Sequence, residues 1–205
     1  AKTEGNPLFI SEYLRLMHEG GQLRFSSESG QWIWQLESTA FKPSHVSVVD
    51  LLIARLGRVP PDRMRLLSLA SCAGNRFEVQ MAAELAGETV DRVRTMAEEL
   101  EKTGLLLADS PDCYVFAHDR VRKAVYSLMA EEEKLDAHSR LGWYWLKMYE
   151  TDPDANGDLL FDIVNHLNRV KSRLTDSEKK RAAGLNLLAG NRARETNAFD
   201  HSIRF

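Results

Sequence analysis

The residues best placed to do chemistry lie in the stretch FAHDRVRKAVYSL, residues 116–128, where an apolar strand gives way to an amphipathic helix. In one interpretation, the Asp119 carboxylate complements the exposed N–H groups at the helix start, and His118 is a partly buried junction residue. In the other, His118 presents an imidazole N–H to a phosphate or a neighbouring domain, while Asp119 fixes the turn and Arg122 lies one helical turn further on. Sequence position alone leaves both interpretations open.

Signatures of catalysis and of metal binding are absent from the sequence. It contains no GxxxxGK[ST], GxGxxG, HExxH or GxSxG motif, so the mechanisms tied to those spacings have no support. Cys72 and Cys113 are far apart and form no CxxC pair, which favours two small hydrophobes in a reducing compartment over a disulfide or zinc site. We therefore expect no enzymatic activity, no catalytic residues and no metal site in this chain.

Charge and hydropathy exclude further classes of protein. The 205 residues carry a formal net charge of −3 at pH 7, which gives no general attraction to nucleic acid or anionic lipid. No apolar run approaches the roughly 20 residues needed to span a bilayer, and the opening AKTEGNP lacks the apolar core of a signal peptide. We expect a cytoplasmic protein that does not contact a membrane.

The elements that must position the junction begin with residues 1–43. A helix is predicted after the tripeptide GNP, and the two glycines at positions 20 and 21 are expected to end it. The segments LRFSS and QWIWQL then alternate in polarity, which predicts a hairpin. Four apolar side chains are expected to share one face of that hairpin: Leu23, Phe25, Trp32 and Trp34.

Residues 44–130 have the pattern of a winged helix. Three amphipathic segments end at Gly74, Gly87 and Gly104, which we expect to adopt the left-handed conformation of a helix cap. Two apolar strands, LLLA and CYVFA, follow on either side of the turn-forming DSPD, and they predict a small β-hairpin wing. The expected core combines a stripe of the third helix with the inner face of the wing: Val90, Val93, Ala97, Leu100, Leu105, Leu107, Tyr114 and Phe116.

Residues 131–205 are predicted to be helical, so the chain as a whole is expected to be mostly α. Thr175 and Glu178 form a capping box that opens a long segment with small inner residues, and NAFDHSIRF begins a further amphipathic helix. We expect a truncated array of helical hairpins that resembles the start of a tetratricopeptide (TPR) superhelix. One face of its first helix is predicted to carry Leu135, His138, Leu141, Trp145 and Tyr149.

A winged helix raises the possibility of DNA binding through its third helix, which would enter the major groove. That helix carries three cationic residues, Arg92, Arg94 and Lys102, against five carboxylates between positions 88 and 101. The wing turn adds Asp109 and Asp112. Because affinity for duplex DNA comes largely from cations that neutralise phosphates, we do not expect this module to bind nucleic acid.

Taken together, the motifs resemble those of a known family. GNPLFISEYL at the N-terminus, three helices with a wing, FxHDxxRxAVY, a later NHLN and finally LNLLAGNRARETNAF occur in that order. The set resembles the C-terminal part of the STAND class of AAA-type signal-transduction ATPases, as found in multidomain sensor kinases and transcription regulators. The resemblance covers nearly the whole chain, although each motif alone is only moderately specific.

The resemblance implies two binding residues. Gly5-Asn6-Pro7 matches the GxP motif of the family, in which the proline packs near the adenine of bound nucleotide. His118 matches the histidine of the MHD-type motif, which reaches the β-phosphate of ADP and holds the resting state. This sequence departs from the motif at Ala117, where the family has methionine, so the assignment of His118 rests on motif position.

The family's phosphate-binding loop and magnesium-binding strand lie upstream of this region, so ATP or ADP with magnesium is implied for the full-length protein and no cofactor for this fragment. The expected function is that of a non-catalytic regulatory fragment. Its expected partners are the ATPase core, a downstream output domain in the same protein, and proteins that bind the helical repeat. The alternatives are an interaction scaffold independent of nucleotide and, third, a DNA-binding winged helix.

Overall fold

The computed structural model describes residues 7–19, 21–34, 48–153 and 156–195. The protein is mostly helical, with two small antiparallel sheets. The chain divides into two compact units, Ala1–Pro60 and Pro61–Phe205. The domain boundaries that the sequence suggests, after residues 43 and 130, stay predictions.

The first unit contains two helices and a hairpin: α1 (Pro7–Glu19), β1 (Leu23–Ser26), β2 (Gln31–Trp34) and α2 (Val48–Leu56). The hairpin has the predicted face, because Leu23 pairs with Trp34 and Phe25 with Trp32 across the two strands. Directly opposed residues point to the same side of a sheet. The aromatic side chains of this face are exposed, and the rings of Phe25 and Trp32 meet edge to face at 5.5 Å.

The second unit begins with four helices and three strands. Their bounds are α3 (Pro61–Ala73), β3 (Arg76–Glu78), α4 (Val79–Ala86), α5 (Val90–Lys102), β4 (Leu106–Ser110), β5 (Cys113–Phe116) and α6 (Asp119–Leu128). The sheet has the order β3-β5-β4, with both pairs antiparallel. The sequence predicts β4 and β5 but not β3, since three residues are too few to show a period of two.

The glycines that follow the helices agree with the prediction at two of three positions. Gly87 and Gly104 both have φ of 70°, the left-handed conformation that glycine adopts without a Cβ clash. Gly74 was expected to do the same, but its φ is 143°. Gly74 donates its N–H to the carbonyl oxygen of Ala70 at 3.1 Å, and the chain then passes almost directly into β3.

The core of this part is close to the predicted one. Buried residues of α5 include Val93, Ala97 and Leu100 as expected, whereas Val90 is half-buried. Leu107 was wrongly placed in the core, because 48% of its surface is exposed. It pairs with Val115 on the outer face of the β4–β5 hairpin, and the neighbouring Leu106 takes the inner position. Leu105 is buried as predicted, but it precedes β4, so the alternation that buries Leu106 and exposes Leu107 begins one residue later than the sequence suggests.

Three longer helices complete the second unit: α7 (Glu131–Thr151), α8 (Leu159–Arg169) and α9 (Asp176–Glu195). The capping box at the start of α9 is confirmed, because the Glu178 carboxylate accepts the backbone N–H of Thr175 at 2.7 Å. In the described ranges, no helix is both long enough and apolar enough to cross a membrane. The predicted helix at 197–205 lies outside the described residues.

The apolar face of α7 packs as predicted. His138 and Leu141 are buried, and Leu135, Trp145 and Tyr149 are partly buried. A core cluster joins α7 to α8 and α9, with Leu146, Ile163, Leu167, Val170, Leu174 and Ala182 as its buried members.

Gly142 allows α8 to lie very close to α7. A Cβ atom at this position would be 2.9 Å from Cδ2 of Leu167 and 3.3 Å from Cβ of His166. Leu167 is fully buried, so its side chain has little room to move away. Gly184 of α9 provides a contrast, because a Cβ there meets nothing within 4 Å.

We predict that Gly142→Ala is less stable than Gly184→Ala by about 1–3 kcal/mol in free energy of unfolding, the usual cost of overpacking. Both variants gain about 1 kcal/mol of helix propensity, so their difference reports the contact with Leu167. Urea unfolding of the two variants and the parent measures it. Equal stability of the two variants would show that α7 and α8 are not closely packed at this glycine.

Candidate functional site

His118 lies between β5 and α6, directly before the helix. Its backbone is extended, with φ −151° and ψ 143°, and it is the N-cap of α6. The carbonyl oxygen of His118 accepts the backbone N–H groups of Val121 at 2.9 Å and Arg122 at 3.3 Å. The side chain makes no cap hydrogen bond and is exposed. Its ring therefore lies at the surface, where a ligand or another domain can reach it.

Asp119 is the first residue of α6 and supplies a negative charge to the helix N-terminus, as one interpretation of the sequence predicts. Its carboxylate pairs with Lys123 at 2.7 Å and with Arg122 at 3.0 Å. Hydrogen bonds from these two side chains hold the pKa of the Asp119 carboxyl below its usual value. The Asp119 carboxylate therefore pairs with side chains of its own helix, and Asp119 is not the N-cap residue.

Two backbone hydrogen bonds and one side-chain contact fix the junction. The N–H of Ala117 donates to the carbonyl oxygen of Leu105 at 3.1 Å, and the N–H of Phe116 donates to that of Asn75 at 2.9 Å. On the helix side, Arg122 Nη1 donates to the carbonyl oxygen of Ser71 in α3 at 3.4 Å. His118 is thus held between a sheet and a helix, although none of the described residues forms a hydrogen bond with its ring.

The surroundings of His118 suit an anionic ligand better than a metal ion. Arg120, Arg122 and Lys123 lie on the same helix, with Asp119 as the acidic residue among them. An imidazole N–H or a guanidinium group donates hydrogen bonds to phosphate oxygens. Among the described residues, no group of three or more His, Cys, Asp or Glu side chains is arranged to hold a metal.

The second predicted binding residue, Pro7, is the first residue of α1, where a proline fits because the missing N–H is not needed. Gly5 and Asn6 of the same motif lie outside the described residues. Pro7 belongs to the first compact unit and His118 to the second, so each is described by itself.

The two cysteines are free and buried, as the sequence predicts. Burial raises the pKa of the Cys72 thiol to about 11, so it stays protonated at neutral pH. Cys113 accepts a hydrogen bond from Nε of Arg76 at 2.7 Å.

A chain of hydrogen bonds connects α6, α7 and α8, and its His138–His166 end is buried. The Tyr126 hydroxyl lies 3.0 Å from Nε2 of His138, and Nδ1 of His138 lies 2.8 Å from Nδ1 of His166. Trp145 packs its edge on the His166 ring at 4.8 Å. The sequence places His138 on the inner face of α7 but does not reveal its partners, since Tyr126 and His166 are 12 and 28 residues away.

The two histidines of this hydrogen-bonded chain, His138 and His166, are held neutral. Burial, with a contribution from the charge of Arg169, lowers the pKa of His138 to about 4. Burial also lowers the pKa of His166 to about 3, with smaller contributions from His138 and Arg169. One Nδ1 must donate and the other accept, so the two rings cannot both be protonated without breaking their hydrogen bond.

Comparison with known proteins points to signal transduction. No family model matches the chain, and no solved structure matches it significantly. The chain is similar to "Hybrid signal transduction histidine kinase G" of Dictyostelium discoideum, with 22% identity over an alignment of 256 residues. The alignment covers 100% of this chain, which spans 8% of the length of that curated relative. A regulatory role is compatible with this similarity.

We predict that acid destabilises the protein through the two buried imidazoles. Their pKa values lie below 6.5, so between pH 6.5 and 4 the unfolded chain binds protons that the folded chain excludes. The free energy of unfolding therefore falls as the pH falls, by up to about 1.4 kcal/mol per pH unit for each proton. Urea unfolding at several pH values measures this slope.

The control for the acid effect is a pair of variants. His138→Gln combined with His166→Asn removes both titrating groups and should make the slope shallower. His118→Gln, which changes a histidine outside this chain of hydrogen bonds, is the matched single-residue comparison. A double variant with the parent's slope would mean that other groups cause the acid sensitivity.

Proposed function

We propose that the chain is a non-catalytic regulatory part of a STAND-type signalling ATPase. Residues 1–43 end the lid of the ATPase, residues 44–130 form a winged helix, and residues 131–205 begin a TPR-like helical array. In this proposal the nucleotide and magnesium are bound by an upstream core. The winged helix couples the nucleotide state of that core to the helical array, and Pro7 packs near the adenine.

The observation that carries the proposal is the position of His118. The imidazole is exposed on a junction whose backbone is held on both sides, and within the described part of the chain it meets no hydrogen-bond partner. A ring so placed is available to a phosphate of a docked core. A ligand shifts a conformational equilibrium only through contacts that differ between the two states. In this proposal, the contact between His118 and the diphosphate exists only while the winged helix is docked on the core.

The contacts of α6 supply a route from His118 to the helical array. His118 occupies the N-cap position of α6, and Tyr126 near the other end of that helix bonds to His138 of α7. His138 in turn bonds to His166 of α8. A movement of α6 must carry α7 and α8 with it or break these buried hydrogen bonds, which is costly.

A nucleotide-independent scaffold is the second candidate, and exposed apolar residues on α9 favour it. Leu187 is 67% exposed and Leu188 is 44% exposed, although both lie on a helix that also has a buried face. Removal of all residues before 45 separates the two functions. A scaffold keeps its protein partner after this deletion, whereas a relay loses the nucleotide dependence of the intact protein.

DNA binding has less support, because the arginines of α5 are engaged in ion pairs. Arg92 pairs with Asp62 at 2.9 Å, and Arg94 pairs with Asp112 at 2.8 Å. Phosphates would have to compete with these carboxylates.

We predict no salt-sensitive binding of duplex DNA. Titration of the chain with a labelled duplex at two salt concentrations tests this, since cation–phosphate contacts make affinity fall steeply with salt. An affinity for the duplex that drops strongly as the salt concentration rises would contradict this prediction and support DNA binding.

We predict that His118→Ala speeds the release of ADP from the longer protein that contains the ATPase core. Loss of a hydrogen bond to a charged phosphate costs about 1.5–3 kcal/mol, which corresponds to a rate increase of about tenfold or more. Stopped-flow release of a fluorescent ADP analogue measures it. His118→Gln keeps an N–H donor and should release ADP at an intermediate rate, whereas an unchanged rate in His118→Ala would refute the role of this imidazole.

A further inference from the structure

The two edges of the three-stranded sheet differ in how they are protected. At the β4 edge, the N–H of Ala108 donates to the Glu101 carboxylate at 3.0 Å, and a bulge between Ala108 and Ser110 interrupts the strand. Carboxylates and bulges of this kind prevent a second chain from pairing with an edge. Among the described residues, no side chain occupies the β3 edge in the same way.

The backbone direction of β3 follows from its pairing with β5. The N–H of Phe116 donates to the carbonyl oxygen of Asn75, and the N–H of Val79 donates to that of Asp112, both at 2.9 Å. Successive residues of an antiparallel strand alternate between facing the partner strand and facing away. Residues 75, 77 and 79 therefore face β5, and the N–H groups of the first and last residues of β3 point away from it.

A groove of about 360 Å³ borders β3. The groove is lined by β3, by Met81 of α4, by Tyr144, Trp145 and Met148 of α7, and by Asn156 and Leu159. All three residues of β3 line it, including those on both faces of the strand, whereas none of the residues of β5, all of which are described, does, so the groove borders β3 and not its partner strand. Met148 is 41% exposed and can be covered by a ligand.

We propose that the β3 edge binds an extended segment of a partner protein as a fourth strand, with an apolar side chain of that segment in the groove. Extended backbone is the ligand that matches outward N–H and C=O groups at strand spacing. Aromatic and methionine side chains favour an apolar residue, and methionine adapts to its shape. This site goes beyond the proposed nucleotide relay and does not depend on it.

The proposal sets limits on the partner. Glu78 is the N-cap of α4, so its carbonyl oxygen belongs to that helix. Three backbone groups remain for the added strand: the N–H and C=O of Arg76 and the N–H of Glu78. The Arg76 side chain is already held by Asp109 at 3.1 Å and by Cys113. Specificity therefore comes from the groove and not from an ion pair with Arg76, and the binding is weak and reversible.

The experiment is an NMR titration of the isotope-labelled chain with an acetylated, amidated pentapeptide, Thr-Val-Leu-Val-Thr. We expect the amide signals of Arg76 and Glu78 to shift and saturate, and their hydrogen exchange to slow. A counterpart peptide N-methylated at its three central residues should bind about tenfold more weakly or not at all, because it lacks the donors that a strand needs. Equal binding of both peptides, or shifts confined to other residues, would overturn the proposal.

Two exposed positions give matched variants. Met148→Glu places a charge in the groove and should weaken pentapeptide binding by about tenfold. Leu187→Glu makes the same kind of change on α9, outside the groove, and should leave binding unchanged. Both side chains are at the surface, so thermal unfolding should show intact folds. Equal loss of binding in the two variants would mean that the peptide responds to surface charge and not to this groove.

Discussion

The second unit depends on one constraint: polar side chains packed between α6, α7 and α8 must satisfy one another. Tyr126, His138 and His166 do so through two hydrogen bonds, of 3.0 and 2.8 Å. An unpartnered polar group in such a place costs several times what a hydrogen bond contributes. The three helices therefore have one favoured arrangement, and Gly142 lets α7 and α8 approach closely enough to reach it.

This constraint fixes the far end of α6, and a different set of contacts fixes its start. Arg122 reaches the carbonyl oxygen of Ser71, and the backbone before the helix is bonded to α5–β4 and α3–β3 connections. A helix held at both ends moves as a unit. In the proposed relay, the His118 ring contacts the nucleotide, and α7 and α8 move together with α6.

Much of this architecture is predictable from local signals. Helices with caps, such as the one opened by Thr175 and Glu178, and the alternating hairpin around Trp32 appear as expected. The errors arise where local pattern is weak. β3 has three residues, and the misplaced Leu107 stands in a run of three leucines whose alternation the sequence does not define.

The candidate site likewise has features that the sequence predicts and features that it does not. The helix start at His118 is visible in the sequence because Asp119 and Arg122 are close neighbours. The buried imidazole pair is not, because it is created by packing between residues 28 positions apart. The open edge of β3 is also invisible, since it requires knowledge of strand order and of the α7 side chains next to it.

The central claim, that the His118 imidazole contacts nucleotide held by an upstream core, is tested most directly by a structure of the longer protein with ADP bound. The account predicts an imidazole nitrogen of His118 within about 3 Å of a β-phosphate oxygen. A His118 ring that faces solvent while ADP occupies the core would contradict it.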